Sequence, residues 1–193
     1  MSNVAIAVVA YLLLAVEIAV RQALNPGGTA TPVAPYFVLP LVVHVALHAS
    51  VPQALWTGAL CGLMLDLLSR HTPAGGVGPS VVVVGPGALG YLACAYLVLV
   101  LRGVLLTWNP LVLVTMSIVG SALAGVVGVA LLLVRAAIDP AVGVAARAEL
   151  SGALLSSLYT GLTALGLWPA LRVIAPRIGL GGPAARRFGR PMR

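Results

Sequence analysis

The chain has 193 residues, 61% of them hydrophobic and only 8% charged, with a formal net charge of +7. A water-soluble domain carries about 25% charged residues, so a fully hydrated exterior is excluded, and a mean hydropathy of +1.10 points to a chain built for lipid. The cations are all arginines, set against four acids, Glu17, Asp66, Asp139 and Glu149, and no nucleic-acid module is visible. The fold class expected is all-α, a polytopic integral membrane protein.

A helix that crosses a ~30 Å hydrocarbon core needs about 20 residues. The first span is expected over 4–20, stopped by Arg21 and the Asn25-Pro26-Gly27-Gly28 cluster; it lacks the basic start of a secretory signal and reads as retained. A second span, 35–49, carries Pro40, and a third covers 52–69. Only Ser50 and Val51 separate them, with the serine placed as an N-cap, so the pair should form a tight antiparallel hairpin. A proline- and glycine-rich loop leads to a fourth span, 80–101, interrupted by Gly85-Pro86-Gly87. The part after Pro86 reaches only about 22 Å, so a kinked helix that includes Val81–Val84 is expected.

The fifth span, 111–134, has no charge and is announced by Trp108-Asn109-Pro110. A connection over 135–149 has room for a short surface helix, and the sixth span, 151–171, is expected to end at Trp168-Pro169 and Arg172. About six spans make a transmembrane domain over 1–178, followed by a basic tail over 179–193 that suits anionic headgroups or a cytosolic partner. One side would hold Arg102, Arg172, Arg177, Arg186, Arg187, Arg190 and Arg193 without an acid, which favours both termini inside.

Within the third span, Gly58, Gly62 and Asp66 recur every four residues and share one helix face. The glycines let a neighbour approach closely and the carboxylate points at it. An acid in a membrane span costs roughly 2.5–3.5 kcal/mol at the bilayer centre on insertion scales and by default marks function. The face is read as packing a helix or docking a partner. Asp66 with Arg70 repeats the i,i+4 order of Glu17 with Arg21; for Glu17 the plainer reading is an arginine that snorkels and relieves its carboxylate.

His44 and His48 have the i,i+4 spacing of a metal pair. Asp66 would lie about 21 Å up the adjacent helix, so interhelical hydrogen bonding is the better reading, and neither a metal nor a cofactor is expected. Cys61 and Cys94 read as small core residues. Small residues form stripes: Gly120, Ala124 and Gly128; Ser117, Ser121 and Gly125; Ala153, Ser157 and Gly161, beside Ser156 and Thr160. Close packing within the chain is their plain reading, docking of a partner helix the sharper one. No nucleophile elbow, HExxH, phosphate loop or adjacent acid pair appears, so an enzyme is not expected.

The segment APYFVLPLVVHVALHASVPQALWTGALCGLMLDLLSRHTPAGGVG resembles the rod shape-determining MreD family: a proline before the second span, a very short turn, and a glycine-patterned third span ending in leucine–aspartate. Pro35, Gly58, Gly62, Leu65 and Asp66 hold those places, Ala95-Tyr96-Leu97 matches an element of the fourth span, and LLSSLYTGLTALGLWPALRVIAPRI is similar to the last span and basic tail. The likeness covers roughly 35–101 and 151–178. It implies an inner-membrane scaffold of the bacterial elongation machinery that binds MreC and helps couple MreB to the peptidoglycan synthase RodA and its partner transpeptidase. An alternative is the substrate-binding S component of an energy-coupling-factor vitamin transporter, whose fold the family is thought to share. Its outer-facing pocket would draw on Glu17, Asp66, Arg70 and Tyr159.

Overall fold

The computed structural model describes residues 3–24, 33–69, 82–105, 109–138 and 145–176. Among these the chain is all-helical: α1 (Asn3–Leu24), α2 (Val38–His48), α3 (Val51–Leu68), α4 (Pro86–Leu101), α5 (Pro110–Ile138) and α6 (Ala146–Ile174). Four of them, α1, α3, α5 and α6, are long and apolar enough to cross a membrane, while α2 and α4 are shorter. The architecture is that of an all-α polytopic membrane protein.

α2 is the axis. Apart from His44 and His48 it is apolar, ten of its eleven residues are buried, and it contacts every other helix. A helix this apolar is stable only inside a bundle or lipid. α3, α4, α5 and α6 pack in series around it, each on the next, whereas the one extended contact of α1 is with α2. The α2–α3 turn is as tight as expected. Ser50 occupies the N-cap of α3 through its backbone, and its carbonyl accepts from the Ala54 N–H at 3.0 Å, but its hydroxyl makes no capping bond.

Several expected boundaries shift. α1 runs past Arg21 to Leu24, because that arginine pairs with Glu17 one turn back instead of ending the helix. α4 starts at Pro86 and does not take in Val82–Val84, which are non-helical. Gly85 sits at φ +123°, a backbone conformation that side-chain-bearing residues rarely adopt, and proline follows it at the first turn. The kinked helix expected there is therefore a clean helix start. The 135–149 connection shrinks as well: α5 continues to Ile138 and α6 begins at Ala146. Asn109 caps α5, its Oδ1 accepting from the Leu111 N–H at 2.9 Å.

Trp168-Pro169 does not end α6, which continues to Ile174 with Pro169 inside it. The Arg172 guanidinium lies over the Trp168 ring, 5.2 Å from its centroid, within reach of a cation–π contact. Arg70, Trp108, Asp139 and the 179–193 tail lie outside the described residues.

Candidate functional site: two buried carboxylates at helix starts

Asp66, two residues from the end of α3, is buried, and its carboxylate faces the first turn of α4. Oδ2 accepts from the N–H of Gly85 at 2.9 Å and of Ala88 at 3.1 Å; Oδ1 accepts from Gly87 at 2.8 Å, with a longer 3.1 Å branch to Oδ2. A helix start leaves its first N–H groups without partners and carries partial positive charge. The carboxylate supplies both the acceptors and the opposite charge, from a different helix.

The glycine face makes this approach possible. A Cβ on Gly62 would lie 2.7 Å from the Ala88 Cα and collide with the Gly87 carbonyl, and one on Gly87 would strike the Asp66 carboxylate itself. Gly58 continues the contact further along, where a Cβ would meet the Tyr91 carbonyl at 3.0 Å and the Ala95 Cβ at 3.1 Å. The shared face of Gly58, Gly62 and Asp66 is thus a packing face, and α4 covers it. As a docking surface for a partner it is already occupied by the chain's own helix.

Glu17 does for α2 what Asp66 does for α4. It is fully buried, and its Oε2 accepts from the N–H of Phe37 at 2.8 Å and of Val38 at 3.1 Å. Its Oε1 accepts from Arg21 Nη2 at 3.0 Å. Arg21 also lies over the Tyr36 ring at 4.8 Å, and that ring meets Tyr91 edge-on at 6.5 Å. The arginine does not simply snorkel; it joins a buried polar group with Glu17 and two tyrosines. The two acids stand in matching positions, each reaching a backbone about twenty residues on, and each organises the short helix that follows its own long one.

Residues 33–36 lead into α2 without regular structure, so their backbone needs outside partners. α6 supplies them. Ser156 Oγ accepts from the Ala34 N–H at 3.2 Å, Thr160 Oγ1 from the Tyr36 N–H at 3.1 Å, and Thr163 Oγ1 donates to the Tyr36 carbonyl at 3.1 Å. Non-helical backbone at membrane depth is tolerated only where protein satisfies it. Ser156 and Thr160, which in sequence sit beside a small-residue stripe, thus hold an irregular segment in place. Thr163 is a functional partner that the stripe pattern does not pick out; its signal is the spacing of hydroxyls at 156, 160 and 163 on one face.

At the other end of α2, Arg102 Nη1 donates to the Ala49 carbonyl at 2.8 Å, placing a cation where the helix carries partial negative charge. The central helix thus has an acid at its start and an arginine at its end.

The remaining candidates divide. Gly120 packs against Cys94, and Ala124 receives Gly90, where a Cβ would come 2.8 Å from the Ala124 carbonyl. Gly128 has open space within 4 Å of where a Cβ would stand. Gly125 faces Ala153 and Gly161 faces Ile118 and Val114, so these stripes join α5 to α6. His44 and His48 stack with ring centroids 4.5 Å apart, and His48 Nδ1 donates to the His44 carbonyl at 2.9 Å. Among the described residues no group of three or more His, Cys, Asp or Glu comes together. Tyr159 is half-exposed on the outside of α6.

No protein-family model, no curated protein and no solved structure matches the chain.

Proposed function

We propose that the protein is a non-enzymatic scaffold of the bacterial cell-shape machinery, an MreD-like adaptor in the inner membrane that binds an MreC-type protein. In that role it helps couple MreB to peptidoglycan synthesis by RodA and its transpeptidase. The observation that carries this reading is the employment of both membrane acids. Glu17 and Asp66 spend their acceptor capacity on the chain's own backbone, which is the use a rigid holding device makes of a carboxylate. Two of the four groups that would line a transporter pocket are thereby engaged, and Tyr159 faces outward, so the S-component reading loses support.

The chain crosses about six times, with both termini in the cytoplasm. α2 is 11 residues and α4 is 16, about 16 and 24 Å at 1.5 Å per residue. The non-helical residues ahead of them, at up to roughly 3.3 Å each, lengthen both segments enough to cross a ~30 Å core. The partner meets a face other than Gly58, Gly62 and Asp66.

The test is co-expression with a membrane protein that has one N-terminal span and a coiled coil, followed by capture in mild detergent. Stoichiometric co-purification is expected. Absence of capture, together with vitamin uptake when the chain is expressed with an energy-coupling module, would replace this reading with the transporter one.

A further inference from the structure

α1 is attached to the bundle unevenly. Near its C-terminal end the attachment is polar: Glu17 to Phe37 and Val38, Arg21 to Glu17 and over Tyr36, with Tyr36 itself bonded to Thr160 and Thr163 of α6. Toward its N-terminus the side chains that α1 gives the core are apolar, with Ile6, Ala10 and Leu14 buried and Ala5, Val9 and Leu13 partly buried beside them, while Val4, Val8, Tyr11 and Leu12 are exposed. These buried positions precede Glu17, and Glu17 meets the start of α2, so α1 runs antiparallel to α2 with its N-terminal half toward the α2 C-terminal end. Among the four long helices α1 is the least covered.

The two halves of that attachment differ in kind. Between apolar helices in a bilayer, lipid tails replace the lost contacts at little cost. Backbone N–H groups at membrane depth have no lipid substitute for a carboxylate. The polar end is therefore fixed and the apolar end exchangeable.

We propose that α1 is a hinged helix, pivoting at the Glu17–Arg21 anchor so that its N-terminal half swings from the flank of α2 and opens the side of the bundle to the membrane. α3 to α6 keep their mutual packing throughout, because none of their extended contacts involves α1. This goes beyond the scaffold reading and does not depend on which partner is bound.

The experiment uses the full chain in lipid nanodiscs, with the buried Cys61 and Cys94 replaced by alanine and two spin-label pairs at exposed positions. One pair, Val8→Cys with Trp56→Cys, reports the N-terminal half of α1 against α3. The other, Gln22→Cys with Leu67→Cys, reports the anchored end. The first distance distribution should be about twofold broader than the second, a difference in amplitude within one helix. Glu17→Ala should widen the second pair to match the first, and Glu17→Gln, which keeps one acceptor oxygen, should fall between. Equal widths in the otherwise unaltered protein overturn the hinge, and so does an anchored-end width that Glu17→Ala leaves unchanged.

Discussion

Replacing Asp66 by leucine removes the acceptor for three backbone N–H groups of the α4 start. Gly85, Gly87 and Ala88 are all part-exposed, but Gly87 and Ala88 are wedged against Gly62 while a Cβ on Gly85 would meet nothing within 4 Å, so solvent or headgroups take over the Gly85 N–H most readily. A buried donor left without a partner costs about 1–3 kcal/mol, giving about 2–6 kcal/mol for two. Losing a side-chain N-cap in soluble hosts costs up to about 2 kcal/mol, which anchors the lower end. The expected loss is about 3 kcal/mol, or roughly 150-fold in the folding equilibrium. Asp66→Asn keeps one carbonyl oxygen for Gly87 or Ala88 and gives up the charge at the helix start, so about 1 kcal/mol is expected. Reversible unfolding in mixed micelles measures both. Alkylation of Cys94, which is fully buried on α4, reports independently on whether α4 has come away. A leucine variant within about 0.5 kcal/mol of the parent, the range of an inconsequential surface change, would refute the cap argument.

The same titration tests three further expectations. Gly62→Ala should cost about 1–3 kcal/mol, because its neighbours are backbone atoms that cannot retreat, and Gly58→Ala should cost less, since its nearest contacts are 3.0 and 3.1 Å away; the reverse order would contradict the packing described. Gly128→Ala, with open space around it, should be neutral or stabilise by up to about 1 kcal/mol through helix propensity, while Gly120→Ala should destabilise by driving into Cys94. Arg102→Gln should cost about 1.5–3 kcal/mol, the range for a hydrogen bond to a charged group; no loss would mean that the end of α2 is satisfied without it.

The pattern on each helix is legible in the sequence; the backbone that each pattern serves is not. The four-residue recurrence of Gly58, Gly62 and Asp66 identifies a close-packing face with an inward acid, because helical periodicity is local. That the acid meets Gly85, Gly87 and Ala88 depends on the path of the intervening loop, which no local pattern encodes. The fourth helix starts at Pro86, later than an expectation that every crossing is a helix of about 20 residues would place it. Glu17 and Asp66 allow shorter helices by satisfying the N–H groups at the starts of α2 and α4. Pro169 misleads because it sits inside α6, which continues past it to Ile174, so here proline does not act as a stop.

The opposite charges at the two ends of α2 also bear on biogenesis. Its acid partner, Glu17, leaves the ribosome before α2 does, but its cation, Arg102, emerges more than fifty residues after Ala49. The axis of the bundle is thus anchored at one end as it is made and waits at the other until α3 and α4 have been delivered. Final consolidation of this protein must follow translation of its first half, and a chain cut short before Arg102 would hold an axis secured only at its start.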